Sequence, residues 1–166
     1  VEERPTTTNN GSISYGTSVG LVGELKLSDD NFLGRGQSAS ATLSASNKGD
    51  KTFELSWFDP WLKGTERVQL GGSFYWTQSV DDNADADEVE KVRKIGTRWQ
   101  IGKGLNSDID VRFIARFDNY KELFANKKVN DKYKLFAMGP ILTYDTRDNK
   151  FSPTKGFYGT MAYERG

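Results

Sequence analysis

Cysteine and histidine are both absent from this chain of 166 residues. Without cysteine the chain can form no disulfide and carry out no thiol chemistry. The absence of cysteine does not distinguish an oxidising from a reducing cellular compartment. Without histidine it lacks the commonest general base and the commonest metal ligand. Because no nucleophile–base pair can be assembled from the residues that remain, the sequence predicts a protein that is not an enzyme, with no cofactor and no metal.

The chain also has no net excess of positive or negative charge and no long apolar run. The 23 Lys+Arg residues balance the 23 Asp+Glu residues, so nothing argues for a nucleic-acid partner. No apolar run approaches the roughly 20 residues of a membrane helix. A membrane barrel is not excluded, because half of its strand residues face a polar lumen. The length is that of one domain, and residues 1–5 do not begin a signal peptide, which predicts an internal start.

The main positive feature is a two-residue alternation of apolar and polar side chains, interrupted by turns. In one segment Leu70, Phe74 and Trp76 fall on one face, and Ser73 and Thr77 fall on the other. Side chains alternate faces along a strand, so each such segment has one apolar and one polar surface. The apolar surface is a core in a soluble protein and the outside in a membrane barrel.

The pattern predicts about nine strands joined in sequence as an all-β antiparallel meander. We expect them at residues 12–15, 21–27, 37–46, 52–58, 68–78, 95–101, 109–117, 136–144 and 157–163. The turns between them are rich in Gly, Asp, Asn and Pro. Only residues 120–126 suggest a helical turn. The first strand is short and poor in bulky side chains.

Two observations favour a transmembrane barrel over a soluble one. The polar face carries charges in the middle of several strands, at Glu24, Lys26, Glu54, Arg98, Asp110, Arg112 and Arg116. Aromatic side chains gather near strand ends, as at a membrane interface. We expect Phe32, Phe58, Trp61, Trp99, Tyr144 and Phe157 at one rim, with Trp76 and Phe117 toward the other. The alternative is a soluble barrel with an aromatic core.

Several turns resemble those of the BamA/TamA outer-membrane assembly family. The similar stretches are residues 20–37, 58–62 and 144–156. Their motif residues are Asp30, Asn31, Phe32, Gly34, Gly36, Asp59, Pro60, Asp145, Arg147, Asp148, Pro153 and Gly156. Residues 1–8 look like the end of a periplasmic POTRA module and its linker, and residues 9–166 like the N-terminal portion of the barrel that follows.

The resemblance implies a barrel of about 16 strands that inserts or translocates other proteins in the outer membrane of a diderm bacterium or derived organelle. This chain matches its first nine strands or so. Because closed bacterial barrels have even strand numbers, we expect the remaining strands, or a second chain, to complete it. The implied partners are outer-membrane lipid and client β-barrel or secreted proteins.

The weak first strand is the predicted functional site. Its residues pack poorly against neighbours, so a seam made by this strand opens at low cost. An opened edge offers unpaired backbone groups to an incoming strand. In the family this seam is a lateral gate, and we expect the client-pairing edge at Gly11, Ser12, Ile13, Ser14, Tyr15 and Gly16. The alternative is an ordinary weak strand.

Three charged segments have a functional and a structural interpretation. Asp145, Arg147 and Asp148 form either a catalytic or metal cluster or, as we expect, a hydrogen-bonded turn. The acidic segment 81–90 either binds calcium or, as we expect for a segment without the glycine of a calcium loop, is solvated. The lysines at positions 121, 127, 128, 132 and 134 either contact lipid phosphates or lie in a solvated loop. Two other functions stay open, a passive outer-membrane channel and a soluble ligand-binding β-barrel.

Overall fold

The computed structural model describes residues 6–65, 68–81, 89–124 and 131–166. These residues form one antiparallel sheet whose nine strands neighbour each other in chain order. The strands are β1 (Thr7–Gly16), β2 (Gly20–Phe32), β3 (Gln37–Ser46), β4 (Lys51–Asp59), β5 (Val68–Val80), β6 (Val89–Gly104), β7 (Ile109–Phe124), β8 (Asp131–Asp145) and β9 (Tyr158–Ala162). The predicted all-β meander is confirmed. No helix in the described ranges is long and apolar enough to cross a membrane.

The connections between strands alternate between two rims. One rim, here called the motif rim, carries the β2–β3, β4–β5, β6–β7 and β8–β9 connections, and the opposite one, the loop rim, carries the other four. All three family-like turns therefore lie on the same rim. The sheet is open, with β1 at one edge and β9 at the other.

The polar side of the sheet is the crowded one. Tyr75, Ala137 and Asp118, which are 6%, 2% and 1% exposed, all lie on it. On the apolar side even Phe117 in the middle of β7 is 52% exposed, and Trp99 equally so. We therefore call the polar side the inner face and the apolar side the outer face. An exposed apolar outer face and a charged inner face are the arrangement of a membrane barrel.

The strand register places every predicted mid-strand charge on the inner face. Ser12 pairs with Glu24, which pairs with Ser44, and the same face continues through Glu54 to Tyr75. Further along the sheet Arg98 pairs with Arg116, on the face that Asp118 shares. The alternation read from the sequence is therefore a property of the whole sheet.

Strand lengths at the loop rim differ from the prediction. β6, β7 and β8 contain 16, 16 and 15 residues and extend well beyond their apolar segments. Tyr120 to Phe124 do not form the helical turn that residues 120–126 suggested: they belong to β7 and pair with β6, and Tyr120, Lys121 and Glu122 also pair with β8. Residues 125 and 126 lie outside the described residues. Pairing on both sides supplies the backbone hydrogen bonds that keep Tyr120 to Glu122 extended.

The first two strands are also longer than predicted. β1 contains ten residues, so the expectation of a short strand is wrong, although it is poor in bulky side chains as expected. It begins at Thr7, whereas the predicted boundary of the barrel lies between residues 8 and 9. β2 continues through Phe32 with an irregularity after Asp29, so the turn occupies only residues 33–36.

Candidate functional site at the free edge of the first strand

β1 is fully paired on one side. Its ten residues run from Thr7 opposite Asp29 to Gly16 opposite Gly20 without interruption. No described strand pairs with its other side. Its bulky apolar side chains, Ile13 and Tyr15, are 79% and 75% exposed. All six residues of the predicted client-pairing edge lie in this strand.

A single hydrogen bond identifies which backbone groups of β1 are free. The Asp30 N–H donates to the Thr6 carbonyl at 3.1 Å, and residues 6 and 30 continue the β1–β2 register. In an antiparallel pair the residues alternate between bonding the partner strand and facing away from it. Even-numbered residues of β1 therefore bond β2. The backbone N–H and C=O groups that face the free edge belong to Thr7, Asn9, Gly11, Ile13 and Tyr15.

The hairpin that presents this edge is held by the neighbouring β3–β4 turn. The Asn47 side-chain oxygen accepts a hydrogen bond from the Leu21 N–H at 2.9 Å. The Lys48 ammonium donates to the carbonyls of Thr17 and Ser18 at 3.3 and 3.1 Å. Gly20 has a φ of 72° and ends the turn; a Cβ there would lie only 2.1 Å from the Asn47 oxygen.

A shallow apolar groove of about 850 Å³ runs along the outer face beside this edge. Gly11 and Gly23 lie in it between Ile13, Leu25 and the larger aromatic residues of β4 and β5. A Cβ added at Gly23 would meet no atom within 4 Å. The first strands therefore present an outer surface with little side-chain packing, which leaves the β1–β2 pair dependent mainly on backbone hydrogen bonds.

The inner face contains an interaction that sequence reasoning missed. The Tyr75 hydroxyl donates to the Asp118 carboxylate at 2.6 Å, across the intervening strand. The Arg116 guanidinium lies 3.3 Å from the other carboxylate oxygen and 2.6 Å from Glu164 beyond β9. Gly96 lies between Tyr75 and Asp118, and a Cβ there would come within 2.3 Å of the carboxylate. This cluster joins β5, β7 and the C-terminal residues on the polar face.

At the motif rim, the β2–β3 turn is closed by Asn31. Its side-chain oxygen accepts a hydrogen bond from the Gly36 N–H at 2.7 Å, and its carbonyl accepts one from the Gly34 N–H at 2.8 Å. Leu33, Gly34 and Gly36 all have positive φ angles, of 57°, 69° and 68°. Glycine is favoured at such angles because it has no Cβ, which explains two of the predicted motif residues.

The β2–β3 and β4–β5 turns are tied together through Asp59. One carboxylate oxygen accepts from the Trp61 N–H at 2.9 Å, and the other accepts from the Gln37 amide at 2.8 Å. The Gln37 oxygen in turn accepts from the Trp57 indole N–H at 3.2 Å. Pro60 is exposed next to this cluster.

The β8–β9 turn is a hydrogen-bonded structure in which each charged motif side chain has a partner. Arg147 donates twice to Asp145, at 2.8 and 3.0 Å. Asp148 accepts from the Thr154 hydroxyl and from the N–H groups of Thr154 and Lys155. The Thr154 hydroxyl, followed by these N–H groups, lowers the pKa of Asp148 to about 2. The turn that we expected is therefore observed.

Two motif residues set the course of that turn. Gly156 has a φ of 103°, and a Cβ there would lie 2.3 Å from the Thr146 carbonyl oxygen. Pro153 is exposed two residues after Phe151. The described residues contain no group of three His, Cys, Asp or Glu side chains placed to hold a metal ion.

The aromatic residues divide between the two faces. Trp99 and Trp76 lie on the outer face, with Trp76 toward the loop rim. Tyr144 and Phe157 contact each other at the motif rim in a tilted arrangement with ring centroids 6.3 Å apart, and Phe32 and Trp61 lie at the same rim. The prediction that Phe117 lies toward the loop rim is wrong, because it occupies the middle of β7, packed on Phe136.

Phe58 does not fit a lipid-facing belt. It pairs with Gly71 on the inner face, beside the Gln100 side chain. Its neighbour Trp57 occupies the outer face instead, opposite Gly72. Because side chains alternate along a strand, Phe58 shares the inner face with Glu54, and Trp57 lies on the outer face. Both positions could have been predicted from the sequence.

Parts of the two charged loops lie outside the described residues. These are Asp82, Asp85, Asp87 and Glu88 of the acidic segment and Lys127 and Lys128 of the basic one. At the described ends of the acidic segment, the Asp81 N–H donates to the Glu90 carbonyl at 2.8 Å. Lys121, Lys132 and Lys134 lie in strands rather than in a loop.

Comparison with known proteins agrees with this geometry. Residues 31–166 match the model of the Omp85 superfamily domain. The fold is similar to that of BamA from Haemophilus ducreyi lacking POTRA domains 1-3, with a TM-score of 0.75 and 18% sequence identity. The match covers 98% of this chain and 34% of that one, so the chain spans about a third of the structure it resembles. The nine strands therefore have the fold of part of an outer-membrane β-barrel, and the chain belongs to the Omp85 superfamily.

Proposed function

We propose that this chain is the N-terminal part of an outer-membrane assembly or translocation barrel in which β1 is the lateral gate. The observation that carries the proposal is a ten-residue strand of mostly small and polar residues at an edge of the sheet with which no described strand pairs. The proposed partners are client β-barrel or secreted proteins, outer-membrane lipid, and the remaining strands or a second chain that complete the barrel. The proposed location is the outer membrane of a diderm bacterium or derived organelle.

The edge acts as a backbone template rather than through reactive side chains. Five residues of β1 direct their backbone N–H and C=O groups to the free edge. A strand of any sequence can form hydrogen bonds with these groups. Eight of its ten residues are Thr, Ser, Asn or Gly, and the other two are Ile13 and Tyr15. Such side chains hold a neighbouring strand weakly, so a seam at this edge opens and recloses at low cost.

A proline substitution tests this template directly. Ile13 directs its N–H to the free edge, where proline is tolerated because no internal ladder bond is lost. Ile13→Pro in the full-length parent therefore removes an edge donor and leaves the β1–β2 pairing intact. We expect client insertion into vesicles to fall by at least about tenfold while the barrel still folds.

Two further variants serve as controls for that experiment. Ile13→Ala removes the same side chain and keeps the N–H, and should insert clients at close to the parental rate. Ser12→Pro removes a bond to β2 and should destabilise the barrel itself. Equal insertion by Ile13→Pro and Ile13→Ala would contradict the proposal.

A passive channel is the second candidate, favoured by the charged inner face. Arg112 and Arg116, with their partners Asp110 and Asp118, line that face. A full-length parent that conducts ions steadily in a bilayer but inserts no client would support this function instead. The soluble ligand-binding barrel is not consistent with the fold, because the exposed apolar face is the outer one.

A further inference from the structure

The loop-rim end of the outer face carries a row of cations that the proposed gate does not use. Strand pairing sets Lys51 opposite Gln78, Gln78 opposite Arg93, Arg93 opposite Lys121, and Lys121 opposite Lys132. Five adjacent strands therefore contribute one continuous row of four cations and one amide. These four cations and a fifth, Lys134, which is the next outer-face residue of β8 toward the middle of the strand, are here called the basic patch.

Among the residues that the structure describes, the basic patch has no acidic partner on its own face. Of the described outer-face positions in β4–β8, only Asp59 is acidic, and it lies at the motif rim. Arg93 donates to the neutral Gln78 amide at 3.0 Å. The nearby acids Asp118 and Glu122 face inward, where they accept hydrogen bonds from Tyr75 and Tyr133.

A row of cations on one face is destabilising unless an anion binds to it. Like charges directly opposite each other in an antiparallel pair are destabilising, and Arg93, Lys121 and Lys132 form two such pairs in succession. A merely solvated surface mixes the two signs. Within the described part of the outer face, the patch therefore has no compensating carboxylate.

The same place also presents apolar surface. A groove of about 700 Å³ runs between the cations and the apolar band, lined by Trp76, Ile95, Arg93, Lys121, Lys132 and Lys134. Nearer the middle of the strands than this groove, Phe117 and Phe136 pack with ring centroids 4.5 Å apart. Cations bordering a lipid-facing aromatic surface match a molecule with an anionic head and apolar chains.

We propose that the basic patch binds the phosphate-bearing headgroup of an anionic lipid in the leaflet at the loop rim, with the acyl chains against Trp76, Ile95 and Phe117. The proposal rests on the outer face contacting lipid, as the proposed function also does, but not on strand pairing by β1. Charge complementarity and the adjoining apolar groove select a membrane lipid over a soluble anion.

The test compares lipid retention by the full-length parent in nanodiscs that contain phosphatidylglycerol and phosphatidylcholine in equal amounts. Native mass spectrometry measures which lipid stays bound. The wild type should prefer phosphatidylglycerol, and the triple variant R93Q/K121Q/K132Q should lose that preference by about tenfold or more. Excess inorganic phosphate should not displace the lipid, because phosphate lacks the chains.

A matched variant separates this site from a general charge effect. K26Q/K103Q/K155Q removes the same number of charges from the inner face and the motif rim, and should keep the preference. Equal preference in the wild type and R93Q/K121Q/K132Q, an equal loss in both triple variants, or displacement by phosphate alone would each overturn the proposal. Client insertion is measured separately, so failure of the lipid site is distinguishable from failure of the gate.

Discussion

Tyr75 and Asp118 are 43 residues apart in sequence, and a 2.6 Å hydrogen bond joins their side chains across the strand between them. Gly96 occupies that intervening position, and its missing Cβ leaves room for the contact. Asp118 is 1% exposed, so its carboxylate depends on this donor and on Arg116 for compensation. Buried charges left without partners are costly.

Tyr75→Phe should therefore lower the stability of the barrel. Removing the hydroxyl leaves a buried carboxylate oxygen without its donor, which costs about 1–3 kcal/mol. Urea unfolding of the full-length parent in lipid vesicles measures the change. Tyr133→Phe is the control, because its hydroxyl donates to the exposed Glu122, and its loss should be smaller. Equal effects of the two substitutions would contradict this account.

Gly96→Ala should be more damaging than glycine replacement elsewhere in the sheet. The new Cβ would lie 2.3 Å from the Asp118 carboxylate and 2.7 Å from the Phe117 carbonyl oxygen. Accommodating it displaces backbone, and we expect a loss of about 1–3 kcal/mol in the same unfolding measurement. Gly23→Ala is the matched strand control, since its Cβ meets no atom within 4 Å. It should be neutral or slightly stabilising.

The β8–β9 turn should lose stability only at strongly acidic pH. The pKa of Asp148 falls from 3.8 to about 2 on folding, chiefly because it accepts a hydrogen bond from the Thr154 hydroxyl. A group whose pKa is lowered by folding stabilises the fold above its unfolded pKa, and this contribution disappears as pH falls toward the folded value. NMR titration of the Asp148 carboxyl carbon should show a midpoint near 2. A midpoint near 3.8 would contradict the hydrogen-bonded turn.

Lys48→Met should loosen the β1–β2 turn without unfolding the sheet. The ammonium donates to two turn carbonyls, and losing these exposed contacts costs about 1 kcal/mol or less. Amide hydrogen exchange at residues 17–19 should accelerate several-fold. Lys63→Met, at the motif rim, should leave that exchange unchanged. If both variants behave alike, Lys48 does not anchor the hairpin.

Much of the sheet could be predicted because its local signals agree. β3 matches its predicted bounds, since the alternation from Gln37 to Ser46 lies between the turn at Gly36 and the one at Gly49. The extended ends of β7 and β8 could not be predicted in this way. Tyr120 and Tyr133 stack at 4.7 Å there, but this pairing is long-range and leaves no local pattern.

Among the site residues, too, only the features with a local sequence signal could be predicted. The free edge of β1 could be anticipated from its lack of bulk, whereas its full length follows from the register with β2. Only part of the basic patch could be predicted from the sequence. Lys121 and Lys132 are conspicuous in the sequence, but Lys51 and Arg93 join them only through pairing across the strands. Tyr75 and Asp118 meet across two pairings, so neither signals the other locally.

The central claim is that clients pair with the free edge of β1, and disulfide cross-linking tests it most directly. The chain has no cysteine, so Ser12→Cys introduces one thiol at this edge, in a full-length parent from which any cysteine outside this chain has been removed. Ser44→Cys is the matched control, because Ser44 lies in the same row of the inner face but within β3, which is paired on both sides. With a client carrying a single cysteine in its terminal strand, we predict a cross-link at position 12 and none at position 44. Cross-linking at neither position during active insertion, or at both equally, would contradict the account.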